Sequence, residues 1–457
     1  MTDIIDTICA LATAPGGALG VIRVSGPDAF AAVSAICHID GRSVAANTVH
    51  YTHILNASGE AIDEVMVSIF RAPRSYTGED SVEISCHGSR YILNKVLELL
   101  IQNGCRMAHP GEFTQRAYLN GKMDLSQAEA VADLIASTNK ATHQLAMSQL
   151  RGGISSELSI LRERLLKMTT LLELELDFSD HEDLEFADRT ELLELANKID
   201  RHITKLALSF EKGQAIKNGI LVAIVGKTNV GKSTLLNCLL KDERAIVSDV
   251  HGTTRDTIED CMDIQGITFR FIDTAGIRQT SDQVEQIGIQ RTYQAIDKAH
   301  IILWLTDQQP TDEEIKEMLH KTSGKHLIIT QNKIDTLAGK HTTEALFCHA
   351  DHCTFVSISA KHRLNIDRLE QAIYDAADLS MLASSDVIIS NARHYEALTR
   401  AQAALQRVIE NMKQQLSGDL LAEDLRDILN VLSEITGGQI TPNEVLGNIF
   451  KNFCVGK

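Results

Sequence analysis

The sequence predicts an α+β multidomain protein in which an α/β domain interrupts a set of long amphipathic helices. Three observations carry this reading. Short runs of period-two alternation, separated by Gly-rich turns, occupy residues 1 to about 118. Apolar residues at steps of three and four dominate from about 124 and return beyond about 385. Between the two helical blocks, 216 to about 378 alternates apolar strands with helices. With 457 residues, and about 150 per domain, the chain is long enough for roughly three domains.

Each element has a local cause. Val21-Ile22-Arg23-Val24 follows the turn Pro15-Gly16-Gly17, and Ser81-Val82-Glu83-Ile84-Ser85 alternates apolar with polar, as half-buried strands do. Tyr91 to Gln102 reads as a helix, completing a small α+β domain over 1–118. Ser126 and Glu129 have the spacing of a capping box that would open the helical block. Leu150, Ile154, Leu158, Leu161, Leu165, Met168 and Leu172 form one stripe, and Leu192, Leu195, Ile199, Ile203, Leu206 and Phe210 a second. Leu398, Leu405 and Met412, then Leu421, Leu425, Ile428 and Leu432, repeat the texture near the end. Stripes of this kind must be buried against partner helices. The expectation is one discontinuous helical-bundle domain, 119–215 and 379–457, split by an inserted domain at 216–378.

Composition narrows the function. Lys plus Arg number 44 against 61 Asp plus Glu, a net charge of −17 that disfavours a whole-surface nucleic-acid binder but leaves room for a local basic patch. Aromatics make up 4%, with Trp304 the single tryptophan, too few for an extended base-stacking platform. The start, Met-Thr-Asp-Ile-Ile-Asp, has neither the basic residues nor the apolar run of a signal peptide, and no stretch reaches the ~18 apolar residues of a membrane span. Nine cysteines, at 9, 37, 86, 105, 238, 261, 348, 353 and 454, form no disulfide framework. A cytoplasmic protein with reduced thiols and no membrane contact is expected.

The chemistry is concentrated in the inserted segment. Gly226-Lys-Thr-Asn-Val-Gly231-Lys232-Ser233 follows the apolar run Ile220 to Val225 and precedes a helix carrying Leu235, Leu236, Leu239 and Leu240. Glycines let backbone amides curl around phosphate oxygens, Lys232 reaches the β and γ phosphates, and Ser233 can ligate magnesium. Gly226, Asn229, Val230, Gly231, Lys232, Ser233 and Thr234 are therefore the expected phosphate cradle. Four more motifs follow in the order that a Ras-like P-loop G domain requires. Gly252-Thr253-Thr254-Arg255-Asp256 offers Thr254 to the magnesium shell when a γ phosphate is present, which makes it a switch element. Asp273-Thr274-Ala275-Gly276 ends the strand Phe269 to Ile272, setting Asp273 beside the metal and Gly276 against the γ phosphate. Asn332-Lys333-Ile334-Asp335 supplies a carboxylate for the N1-H and N2 amine of guanine, two donors that adenine lacks. Ser359-Ala360-Lys361 supports the guanine carbonyl through its backbone. Five motifs in order within about 140 residues point to GTP.

Ile277 stands where Ras-like proteins carry a water-orienting Gln, and it cannot hydrogen-bond. Gln279, Asp282, Gln283 and Glu285 are the alternatives in the following segment, and the residues alone do not choose among them. The side-chain carbonyl of Asn229 could hold a monovalent cation beside the phosphates, or could belong to an ordinary turn. His341, Cys348, His349, His352 and Cys353 lie in one stretch, but their irregular spacing argues against a metal site. The acidic run from Asp177 to Glu185 reads as a solvated turn between helices.

Beyond the G motifs, the sequence carries the Gly-rich N-terminal turn, Ser75-Tyr-Thr-Gly-Glu-Asp80, Glu83 to His87-Gly88, Pro110-Gly-Glu-Phe113, Leu119-Asn-Gly-Lys122-Met-Asp124 and the terminal Phe453-Cys454-Val455-Gly456-Lys457. With these it resembles, over its whole length, the MnmE (TrmE) tRNA modification GTPases. The resemblance implies a potassium-stimulated GTPase that forms a homodimer and acts with the flavoprotein MnmG, in a heterotetramer or larger assembly. Together they would install a carboxymethylaminomethyl or aminomethyl group at C5 of the wobble uridine of tRNA, which would be bound largely through the partner complex. A tetrahydrofolate derivative, 5-formyl or 5,10-methylene, would supply the one-carbon unit to an N-terminal folate-binding and dimerisation domain.

By motif position, Arg23, Glu83, Lys122 and Lys457 match the family's folate-contacting residues. Asn229, Ser248, Val250 and Thr253 match its potassium ligands, and Ser233 and Thr254 its magnesium ligands. Glu285 matches the water-organising glutamate and acts beside Lys232 and Asp273, while Cys454 belongs to the terminal motif. Val455, His109 and Ser248 depart from the commoner Ile, Arg and Thr, which touches local contacts only. The competing functional class is a ribosome-associated or signalling switch without modification chemistry, and a third is a dimerising mechanical GTPase. A switch of the first kind would carry an RNA-binding module, and no Gly-x-x-Gly clamp in a KH-like setting is visible.

Overall fold

The computed structural model describes residues 6–39, 43–177, 189–240, 259–273, 294–336, 352–378, 387–414, 418–438, 449–450, 453 and 456. They divide into two compact units. The first comprises Met1–Ala136, Ala146–Ile203 and Glu396–Lys457, the second Ser137–Leu145 and Thr204–Tyr395. The first unit is thus discontinuous in sequence, and the second interrupts it.

The first unit begins with strands β1 (Thr7–Leu11) and β2 (Leu19–Ser25), helix α1 (Ala29–Ile36), and strands β3 (Thr48–Leu55), β4 (Ala61–Phe70) and β5 (Ser81–His87). Helix α2 (Arg90–Gln102), strand β6 (Cys105–Met107) and helix α3 (Glu112–Leu119) follow. The sheet order is β3-β4-β5-β2-β1-β6, antiparallel throughout except for the parallel pair of β1 with β6. Alternation puts Ile22, Val24, Val67, Val82 and Ile84 on one face, where Phe30, Val33, Leu93, Val96 and Leu100 from α1 and α2 cover them. The opposite face therefore carries the partner set of each strand, Arg23 and Glu83 among them.

Helices α4 (Leu125–Ala136), α5 (Lys140–Leu150), α6 (Gly153–Asp177) and α7 (Arg189–Asn218) come next. The opening cap differs from the sequence expectation. Asp124 fills it: its Oδ1 accepts from the Gln127 backbone N–H at 3.0 Å, and Gln127 Oε1 accepts from the Asp124 N–H at 2.9 Å. This is the reciprocal arrangement of a capping box displaced two residues toward the N-terminus. Ser126 and Glu129 are instead buried inside the helix, and the Ser126 hydroxyl donates to Asp124. Leu150 also falls on a different helix from Ile154, because Gly152 at φ +83° breaks the chain between α5 and α6.

The second unit is built on β7 (Ile220–Val225), α8 (Lys232–Leu240), β8 (Glu259–Ile264), β9 (Ile267–Asp273), β10 (Ile301–Thr306), α9 (Asp312–Lys321), β11 (His326–Gln331), β12 (Cys353–Ser357) and α10 (Ile366–Ala376). Its sheet runs β12-β11-β10-β7-β9-β8, parallel except for the edge strand β8. Strands such as ILVAIV and IILWLT are apolar on both sides because both faces are covered. Leu235, Leu239, Leu369 and Ile373 lie over one face, and Ala295, Ile296 and Ile315 over the other. Helices α11 (Ala392–Lys413) and α12 (Gly418–Thr436) complete the described elements, with α12 against α6 in the first unit. Among the described residues, no helix is long and apolar enough to cross a membrane.

Candidate functional site

In a parallel sheet, ligands gather where the strands end at their carboxyl side. Val225, Thr306, Gln331 and Ser357 are the last residues of β7, β10, β11 and β12, and three motif loops leave from this edge. The phosphate loop is shaped by residues that most side chains could not replace. Gly226 has φ +152°, and a Cβ there would lie 2.2 Å from the Leu305 carbonyl oxygen. Gly231 has φ +102°, and its Cβ would lie 2.4 Å from Asn332 Nδ2. Between them Asn229 adopts a left-handed φ of +61°. Lys232 opens α8 and folds back, its Nζ donating to the carbonyls of Gly226 at 2.6 Å and Lys227 at 3.0 Å. A loop with this curvature, closed by a helix N-terminus and a lysine, has the form of a phosphate cradle.

Asn332 joins three loops. It is buried, its Nδ2 donates to the Val230 carbonyl at 2.8 Å, and its Oδ1 accepts from the Ala360 N–H at 3.0 Å. Lys333, at φ +64°, places Nζ on the Asn229 carbonyl at 2.8 Å and on Asp307 Oδ2 at 3.2 Å. Asp335 lies in the short 3-10 turn Ile334–Thr336 and receives the Ser359 hydroxyl on Oδ1 at 2.5 Å. That hydrogen bond, foremost, holds the carboxyl below its ordinary range, and the nearby His362 and Lys361 act in the same direction. Asp335 is therefore presented as an ionised acceptor, the state needed to take two donors from a base edge.

The second cluster belongs to the first unit. Arg23 on β2 and Glu83 on β5 are directly opposed in register, and the Arg23 Nη2 lies 2.7 Å and its Nε 2.9 Å from Glu83 Oε1. The guanidinium carbon is 5.2 Å from the centre of the Tyr76 ring and 5.6 Å from that of Phe113. Nη1 donates to the Gly456 carbonyl at 3.3 Å. Gly456, at φ +92°, sits where a Cβ would be 2.4 Å from the Leu11 carbonyl oxygen, so this glycine lies close against the end of β1. Lys122 is turned elsewhere, its Nζ donating to the Pro73 carbonyl at 2.9 Å.

The structure thus brings together Gly226, Asn229, Val230, Gly231, Lys232, Asn332, Lys333, Asp335, Ser359 and Ala360, with Ser233 and Thr234 exposed on the first turn of α8 and Lys361 exposed beside Ala360. Asp273 ends β9 opposite Ile224 of β7, one residue short of the end of that strand. Ser248, Val250, Thr253, Thr254, Gly276, Ile277, Gln279, Asp282, Gln283, Glu285, Cys454 and Lys457 lie outside the described residues, as do His341, Cys348 and His349. Among the described residues, no group of three or more His, Cys, Asp or Glu is arranged to hold a metal ion. Sequence reasoning missed Tyr76 and Phe113 as walls for Arg23, and His362 beside Asp335. The first two did lie within the motif segments Ser75–Asp80 and Pro110–Phe113.

Comparison with known proteins settles the family. The description "MnmE helical domain" matches residues 125–454, and "GTP-binding protein TrmE N-terminus" matches 7–122. The chain belongs to the MnmE family of tRNA modification GTPases. A tRNA modification GTPase MnmE of Phocaeicola vulgatus is 54% identical, covering 99% of both chains. The protein of the same description from Bacteroides fragilis is 54% identical over 99% of both, and that from Porphyromonas gingivalis 50% over 99% of this chain and 98% of its own. The MnmE likeness therefore spans both the Arg23 cluster and the loops around Asn332.

Proposed function

We propose that this chain binds and hydrolyses GTP and acts, as a homodimer with the flavoprotein MnmG, in tRNA modification in the cytoplasm. The reaction is the installation of a carboxymethylaminomethyl or aminomethyl group at C5 of the wobble uridine, with 5-formyl- or 5,10-methylenetetrahydrofolate as one-carbon source. The observation that carries the nucleotide reading is Asn332, whose one buried amide joins the phosphate loop to the loop that faces the base. Arg23, held between two rings and against Glu83, supports the folate reading, since a fixed guanidinium fits the anionic parts of a reduced folate.

In this reading 1–118 takes the folate, 216–378 the nucleotide, and 119–215 with 379–457 forms the helical frame. The glycine cradle at 226 and 231 fits a phosphate chain, and the exposed Ser233 hydroxyl fits magnesium, with Thr254 as the second protein ligand. Asn229, Ser248, Val250 and Thr253 would hold potassium. Lys232 would neutralise phosphate charge, Asp273 would stand beside the magnesium, and Glu285 would organise the attacking water. Lys122 and Lys457 are assigned to the folate side by motif position, and Cys454 belongs to the same terminal motif as Lys457.

Two measurements on the full chain test the proposal. Calorimetric titration with 5-formyltetrahydrofolate should show binding that Arg23→Ala weakens, and phosphate release should be specific for GTP over ATP. Equal folate affinity in the variant, or equal turnover of ATP, would count against the corresponding half.

A further inference from the structure

His362 follows the Ser359-Ala360-Lys361 loop and does not belong to any of the five motifs. Its ring Nε2 lies 3.5 Å from Asp335 Oδ2, and its backbone N–H donates to Ser359 Oγ at 3.3 Å. The same hydroxyl donates to Asp335 Oδ1. One serine therefore fixes the carboxylate and the backbone of the residue whose ring meets it. The side chain is about half exposed, so nothing buries the ring away from an arriving ligand.

An ionised carboxylate offers roughly four lone-pair positions. The Ser359 hydroxyl already uses one, on Oδ1. Guanine brings two donors, from N1 and N2, which call on both carboxylate oxygens, and the His362 ring already stands at Oδ2. We propose that His362 is a specificity-tuning residue that competes with the guanine edge for Asp335 Oδ2, so that a guanine nucleotide must displace its ring to bind. This rests on the reading of the Asp335 loops as a guanine site.

The competition is graded by protonation. An imidazolium makes a charge-assisted bond to the carboxylate and is the stronger rival, whereas neutral imidazole is weaker. Lys361 and Arg363 flank His362 in the loop, Asp335 faces it from the 3-10 turn, and Asp367 lies in the first turn of the next helix. The Lys333 ammonium is turned away, toward Asn229 and Asp307. Guanine nucleotide affinity should therefore be weaker in acid than in base, and the difference should come from this residue.

The test is the dissociation constant of N-methylanthraniloyl-GDP for the full chain, wild type, His362→Ala and His362→Gln, at about pH 6 and about pH 8 at fixed ionic strength. His362→Ala should bind about three- to tenfold more tightly than wild type at the lower pH and within about twofold at the higher. His362→Gln keeps a neutral donor and should lose the pH dependence. A variant-to-wild-type ratio that is the same at both values, or tighter binding by wild type at pH 6, would overturn the inference while leaving the guanine site in place. Failure of wild type to bind the probe at either pH would overturn both.

Discussion

The Asn332 amide group and the Val230 carbonyl lie 2.8 Å apart across 102 residues of chain, and the same side chain accepts the Ala360 N–H. Replacing it with alanine leaves both backbone groups without their partner in a buried place. Each such loss costs about 1–3 kcal/mol. Asn332→Ala should lower the melting temperature of the nucleotide-binding unit and weaken GTP binding together. Asn332→Asp should be at least as damaging, because one carboxylate oxygen would then face the Val230 carbonyl. Calorimetric unfolding with and without GDP reads both effects, and a variant that melts like wild type would remove Asn332 from its role as a tie.

Asp335 leads to a prediction about base choice. Its ionised carboxylate, held by Ser359, is suited to the two donors of guanine. Asp335→Asn should weaken GTP binding by about 10- to 100-fold, the range expected for losing hydrogen bonds to a charged group. Xanthosine triphosphate, whose 2-oxo group would meet the new amide donor, should bind the variant better than it binds wild type. Competition titrations with both nucleotides decide this, and unchanged GTP affinity would exclude Asp335 from the base site.

What could be read from the sequence follows how local each cause is. Gly226 and Gly231 announce their loop because their backbone angles, +152° and +102°, are ones other residues rarely adopt. Strands β2 and β5 were legible from alternation, since each buries one face. The choice between Asp124 and Ser126 as a helix cap was not, because both have an acidic or amide partner three residues on and only the path of the incoming chain decides. The walls of Arg23 come from Tyr76 and Phe113, which reach it from the loop between β4 and β5 and from α3. The approach of His362 to Asp335 depends on how two loops meet, a relation with no sequence period.

A buried charge network in the first unit fixes a pH dependence of stability. Arg116, almost wholly buried, donates to Asp6, Glu79 and Glu112, and Arg106 pairs with Asp6 and Glu112. Burial pushes the Glu112 carboxyl up, but bonds from Arg106, the His109 N–H and Arg116 outweigh it, so its net shift is downward. Asp6 is lowered in the same way against its own burial. A carboxylate with a depressed folded-state pKa stabilises the fold above its unfolded value, and that contribution is lost as pH falls through the folded one. Melting temperature should therefore hold near neutrality and fall below the ordinary carboxylate range. Glu112→Gln should cost about 1–3 kcal/mol at pH 7 and flatten the acid limb, as followed by thermal melts between pH 7 and pH 3. An acid limb identical to wild type would show that the network does not govern it.

Hydrolysis raises a last expectation, argued from a deficit. Ile277 cannot orient water. Charge on the transferring phosphoryl group still has to be neutralised, and a monovalent cation held by Asn229 with Ser248, Val250 and Thr253 would do this where an arginine finger acts in other GTPases. Carbonyl ligands from that loop would form a wider cage, and potassium is therefore expected over sodium. If pairing of two nucleotide-binding domains orders that loop, turnover should also rise with protein concentration. Turnover of the full chain in potassium, sodium and caesium at fixed ionic strength should be highest in potassium, and Asn229→Ala should erase the difference. Glu285→Ala should abolish hydrolysis while preserving nucleotide binding. Equal rates in the three salts would eliminate the cation, and normal turnover by Glu285→Ala would return the choice to Gln279, Asp282 and Gln283.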